Sequence, residues 1–173
     1  MEIYKFGANI LRDKALPVSE INQSIVDLLE DMIETMILAP GIGLAAPQVG
    51  HALRMFVMNV DEGVFERIIN PEVLSVSGVS TYNEGCLSFP KMYMDVVRSD
   101  WIKVRYLDEK GREIIRERDG LWARCFLHEL DHLDGKLFVD HFSKKQFRQI
   151  REDLNIIEQT GLVQNLKPAP KLK

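Results

Sequence analysis

Between Ala123 and Gly135 the chain reads ARCFLHELDHLDG, which sets His128 and His132 four residues apart with Glu129 directly after the first. On a helix this spacing places both imidazoles on one face, a turn apart, where they can share a metal ion with a carboxylate beside them. That is the layout of a metal-dependent hydrolase; the alternative is a pair of surface histidines on an amphipathic helix. A catalytic site of this kind takes three protein ligands and leaves one position open, so a third ligand is needed. The longer pattern H-E-x-x-H-x-x-G-x-x-H is followed as far as Gly135 and then fails at Phe138. The chain has two cysteines, and thiolate is a strong ligand for zinc and iron. Cys125 precedes His132 by seven residues. That is roughly 10 Å of helix rise, too far for a short side chain when metal bonds are about 2.0–2.3 Å long. Cys86, remote in sequence and preceded by Gly85, is the better candidate.

Such a site needs a scaffold, and 173 residues with 46% hydrophobic content suffice for one domain with a real core. The first residues lack the apolar run of a signal peptide, and no stretch is apolar enough to span a membrane, so a cytoplasmic protein without a membrane partner is expected. Two cysteines in such a chain point to metal or packing rather than to a disulfide framework. The net charge of -4 argues against DNA as a partner of the body of the protein. The charge is unevenly spread: from Ser143 onward seven basic residues face three acidic ones, a +4 end on a -8 remainder. That end is either a solvated tail or a contact for an anionic partner.

Taken in order, residues 3–16 read as an irregular lead-in closed by Pro17. Ile25, Leu28, Leu29, Met32, Ile33 and Met36 then recur at helical spacing between Asn22 and Leu38, and Pro40-Gly41 ends the run. Gly41–Gly50, GIGLAAPQVG, is too rich in glycine and proline for regular structure through much of its length, and Gln48 is the one amide in it. Strands are expected at Leu53–Val60, Phe65–Ile69, Glu72–Val76, Val79–Tyr82, Met94–Arg98 and Trp101–Leu107. Glu84–Pro90 interrupts this series, and Asp108–Gly111 turns the last of these strands into Arg112–Arg116 as a hairpin. Asp119 is the expected N-cap of the motif helix and Gly135 its terminator. A C-terminal helix over about 143–160, with Phe147, Ile150, Leu154 and Ile157 on one side, is expected to end at Gly161. Residues 162–173 then form a flexible basic Pro/Lys tail behind a single catalytic domain, 1–161. Strands in the middle with helices before and after predict an α+β fold of mostly antiparallel short strands around the HExxH helix. Asp131 cannot face the same metal as the histidines and is expected to pair with a cation on an adjacent strand, Arg98 first.

GIGLAAPQVG, EGCLS and HELDH, in this order across residues 41–135, resemble the three motifs GxGLAAxQ, EGCLS and HExDH of the peptide deformylases. These enzymes remove the formyl group from N-formylmethionine at the start of new bacterial and organellar proteins, and the length and C-terminal helix resemble the bacterial type I form. The resemblance implies that Cys86, His128 and His132 bind one divalent metal per chain and that Glu129 is the general acid/base for a metal-activated water attacking the formyl carbon. It implies ferrous iron (Fe2+) as the native metal, with zinc, nickel or cobalt tolerated, and Gln48 with the backbone N–H of Leu87 as holders of the oxyanion. Gly41, Ile42 and Gly43 then line the substrate cleft, and Leu121, Arg124 and Cys125 the pocket for the methionine side chain. Leu127 stands where the family commonly has Gln, and Tyr93 lies near where many members carry a basic residue. The implied partners are N-formylmethionyl nascent peptides and the ribosome near its exit tunnel, met by the basic C-terminal end of a monomer. All proposed ligands precede Gly161, so removal of the residues beyond it is expected to spare hydrolysis of a small peptide. The competing readings are a generic HExxH zinc peptidase and a non-catalytic module with structural zinc.

Overall fold

The computed structural model describes residues 1–172; Lys173, counted above in the basic end, lies outside them. Helix α1, Gln23–Leu38, starts where the Asn22 side chain accepts the Ile25 N–H, and its six periodic apolar residues are all buried. Seven strands follow: β1 Gly43–Ala45, β2 Met55–Met58, β3 Glu66–Ser77, β4 Ser80–Cys86, β5 Phe89–Arg98, β6 Trp101–Leu107 and β7 Glu113–Asp119. Helix α2, Gly120–Leu133, carries the HExxH motif, and α3, Lys144–Gln149, and α4, Arg151–Gln164, close the chain. The order β1-β2-β3-β6-β7 makes a five-stranded sheet, β4-β5 stands as a separate two-stranded one, and every pairing between these strands is antiparallel. The fold is α+β, as expected.

Strand alternation sends one side of β2 to each helix. Phe56 and Met58 join Trp122 and Phe126 of α2, whereas Met55 and Val57 join Leu29, Met32 and Met36 of α1. Phe126 meets Phe56 edge-on at 5.1 Å and stacks with Trp122 at 5.3 Å. The face of α2 opposite the ligands is thereby fixed by close packing rather than by its own helix propensity.

Several local expectations are corrected. Phe65–Ile69 and Glu72–Val76 belong to one strand, β3, because Asn70 (φ 50) and Pro71 are absorbed in a register shift instead of ending it. The Asn70 side chain pins that irregularity to Val18 through its N–H and C=O, at 2.9 and 2.8 Å. Glu84–Pro90 does not interrupt the strands but turns β4 into β5, with Cys86 opposite Phe89. Within Gly41–Gly50, Gly43–Ala45 pairs with β2 and Ala46–Val49 makes a 3-10 turn that leaves Gly50 at φ 90, so the stretch is more regular than its glycines suggested. Asp119 occupies the N-cap position of α2 without a capping side-chain bond, while Gly135 follows its end at φ 69. Gly161 does not terminate a helix: α4 runs through it to Gln164, and the boundary at residue 161 falls inside an element. The C-terminal helical stretch is also broken in two at Ile150, whose ψ of 4 is not helical.

Candidate metal centre

Two elements meet at the centre. α2 presents His128 and His132 with ring centroids 5.2 Å apart, and the turn between β4 and β5 brings Cys86 Sγ to 3.3 Å from His132 Nε2. One donor atom from each of Cys86, His128 and His132 lies within 4.8 Å of the others. A cysteine sulfur and two imidazoles this close are a three-donor set for a borderline metal such as zinc or ferrous iron. Cys125 does not join them: it is buried beside Gly43, and its thiol lies 3.4 Å from the Ile42 carbonyl. Burial and the nearby Glu129 carboxylate push that thiol pKa well up, which suits packing rather than ligation.

Glu84, which no periodicity or spacing singled out, is the hub behind the ligands. Its Oε2 meets His128 Nδ1 at 3.0 Å, leaving His128 Nε2 for the metal side. Arg98 grips both Glu84 oxygens, at 2.8 and 3.1 Å, and Arg124 Nη1 adds a bond of 2.6 Å. Burial raises the Glu84 carboxyl, but the hydrogen bonds from His128 and Arg98 outweigh it and hold the group far below the usual carboxylate range. Arg98 continues to Asp131 at 2.6 Å, and His141 closes on the same carboxylate at 2.8 Å. Removing one partner from a buried ion pair strands the other charge, so Arg98→Ala and Asp131→Ala should each destabilise the fold. A double-mutant cycle on unfolding free energy should give a coupling of about 0.5–3 kcal/mol; less than about 0.3 would mean that the pair does not hold the helix.

Glu129 is buried against Gly43, where a β-carbon would sit 2.3 Å from its Oε1, so any other residue there would displace the carboxylate. Its Oε2 has no hydrogen-bond partner among the described residues, and burial pushes its pKa up to about 7 against the pull of His128 and Arg98. His132 Nδ1 is likewise buried without a partner there. A buried acceptor left unsatisfied beside three converging donors fits a metal and its water.

Gln48 is 1% exposed, and its amide orientation is fixed: Oε1 accepts the Ala45 N–H at 2.9 Å, so Nε2 points to Ser88 Oγ at 3.1 Å and Cys86 Sγ at 3.5 Å. A cleft of about 480 Å³ opens beside it, lined by Gly41, Ile42, Gly43, Leu87, Leu121, Arg124 and Cys125. Arg124 is no simple pocket wall. Besides Glu84 it bonds Val96 O and both oxygens of Ser80, and its guanidinium lies 5.7 Å from the Tyr82 ring centroid. It belongs to cleft and hub alike. Leu127 packs on the core under α2, and Tyr93 lies against Gly85 beside the cleft. Lys5, read as part of an irregular lead-in, lines the cleft and donates to the Leu87 carbonyl at 2.8 Å.

The sequence model described as polypeptide deformylase matches residues 1–148. The chain is 47% identical over 156 residues to a peptide deformylase of Alkalilimnicola ehrlichii, covering 88% of each. It is 41% identical over 183 residues to that of Chlorobaculum parvum, covering 99% of this chain and 97% of the relative. Among solved structures, the Thermus thermophilus peptide deformylase superposes with a TM-score of 0.88 at 39% identity, covering 92% of this chain and 98% of that one. Arabidopsis thaliana peptide deformylase 1B gives 0.89 at 34% identity, with 99% and 97% covered.

Proposed function

Because the chain belongs to the polypeptide deformylase family, we propose that Cys86, His128 and His132 hold one divalent metal, ferrous iron in its native state, and that Glu129 is the general acid/base. The reaction is hydrolysis of the N-formyl group from the formylmethionine that begins a new protein, with release of formate. The observation that carries this reading is the convergence of the EGCLS cysteine with both HExxH histidines. A generic HExxH zinc peptidase has no use for that cysteine, and the family assignment speaks against it.

When bound, the metal supplies a Lewis-acidic position that draws the pKa of water toward neutrality. Glu129, held against Gly43 with one oxygen unsatisfied, takes the proton of the attacking water and returns it to the departing amine. Glu84 fixes the ring of His128 and thereby the direction of its free nitrogen. Gln48 Nε2, aimed by the Ala45 N–H, and the Leu87 N–H at the β4–β5 turn donate to the formyl oxygen as negative charge grows there. Gly41, Ile42 and Gly43 flank the peptide, and Leu121, Arg124 and Cys125 face the methionine side chain across the cleft. The direct test is deformylation of a formyl-Met tripeptide by anaerobically purified protein, with iron, zinc, nickel and cobalt quantified in the same sample. An iron-loaded protein that leaves the peptide formylated would reject the reading.

The proposal extends to where the enzyme works, as a cytoplasmic monomer beside the ribosomal exit tunnel. No helix among the described residues is long and apolar enough to cross a membrane. Lys144, Lys145, Arg148 and Arg151 are exposed on α3 and α4, where they can meet RNA phosphate, whereas Lys167 is tied to Glu2 at 2.8 Å. Ending the chain after Pro170 removes Lys171 and Lys173 and no acid. Ribosome affinity at low salt should then weaken and its salt dependence become shallower. Unchanged binding would take the tail out of the contact.

A further inference from the structure

Residues 4–6 thread between the two segments that supply the oxyanion donors. The Tyr4 N–H donates to Gln48 O at 2.7 Å, Lys5 Nζ to Leu87 O at 2.8 Å and the Phe6 N–H to Ser88 O at 3.1 Å. Gln48 follows β1 and Leu87 follows β4, strands of different sheets, so neither ladder sets their separation, although Gln48 Nε2 reaches Ser88 Oγ beside Leu87 at 3.1 Å. The thread bonds to both.

Its other side is held by α4. Gln164, 4% exposed, accepts the Lys5 N–H at 2.7 Å and donates to Ile3 O at 3.2 Å and Glu2 Oε1 at 2.9 Å. Gly161 lies so close that a β-carbon there would sit 2.2 Å from Phe6 O and 2.5 Å from both Ala8 N and Lys5 O. At the other contact, a β-carbon on Gly7 would sit 2.4 Å from Glu158 O. The start of α4 is anchored by apolar burial of Ile150 and Leu154, but its end is fitted to the thread by a buried amide and a missing side chain. This helix lies beyond residue 148, where the family match stops.

We infer that Lys5 and Gln164 are positioning residues for deformylation: Gln164 fixes the Lys5–Phe6 backbone, and Lys5, through the Leu87 carbonyl, fixes the turn whose Leu87 N–H works with Gln48 on the formyl oxygen. The inference rests on the oxyanion role given above to Gln48 and Leu87. Donors of this kind act on charge that exists only in the transition state. Their misplacement therefore lowers kcat while substrate binding persists. A chain ended after Gly161 loses Gln164 and is expected to lose rate on a small peptide, contrary to what the sequence suggested.

The test compares holoenzyme variants on a formyl-Met tripeptide, with bound metal and thermal midpoint measured on the same preparations. In Gln164→Ala and Lys5→Met, kcat should fall about tenfold or more, since misplacing a group by an ångström can cost about 10²-fold. KM should stay within about twofold and metal should remain stoichiometric. Lys5→Arg keeps a donor within reach of the Leu87 carbonyl and should restore most of the rate. Ile156→Ala, at a side chain 71% exposed on the same helix, should match the wild type. Wild-type kcat in both Lys5→Met and Gln164→Ala, or loss of stability and rate alike in Lys5→Arg, overturns the inference alone. A wild type that leaves the peptide formylated overturns the reading of the site and this inference with it.

Discussion

Cys86→Ser should leave purification with little or no bound metal and with deformylation lost, while Cys125→Ser keeps stoichiometric metal. A serine hydroxyl stays protonated at neutral pH and is a poor substitute for thiolate, so the three-donor set falls to two imidazoles. The two cysteines differ in place rather than in type. Cys86 Sγ sits 3.3 Å from His132 Nε2 at the tip of a hairpin, whereas Cys125 faces a backbone carbonyl inside the core. Metal analysis of both proteins decides the matter: equal loss from the two would remove Cys86 from the ligand set.

Glu129→Gln should give the complementary result, full metal content with kcat lowered about 10²–10⁴-fold, the usual worth of a positioned acid/base. Glutamine keeps the shape that fits beside Gly43, where there is no room for a β-carbon, so packing and ligands survive and only the proton carrier is lost. Turnover within a few-fold of wild type, with metal bound, would assign the proton transfers elsewhere.

These expectations were partly legible in the sequence, for reasons that differ by residue. The HExxH helix was plain because its geometry is local: four residues set the distance between His128 and His132. Cys86 could be narrowed down because the helix excluded Cys125 by rise alone, although the hairpin that delivers it was read as an interruption. Glu84 stood in the EGCLS stretch, but its role was invisible. A carboxylate gains its role there only by meeting Arg98 from β5 and Arg124 and His128 from α2, and no periodicity announces such a meeting. Lys5 was missed because much of its segment's work is done by backbone N–H groups, which carry no residue signature. Gly161 was misread because a glycine demanded by close approach looks the same in sequence as one demanded by a helix end.

The hairpin that carries Cys86 shares no ladder with the five-stranded sheet, whereas the helix that carries the histidines is packed on that sheet. An ion held by Cys86, His128 and His132 would therefore cross-link two elements that share no ladder, and its binding free energy would be stored in their attachment. Two ion pairs, Glu84 to Arg124 and Arg98 to Asp131, span the same joint without any metal, so chelation should loosen it without opening it fully. Amide hydrogens of β4 and β5 should then exchange through a cheaper local opening, while those of β2, β3 and β6 keep the protection of the whole fold.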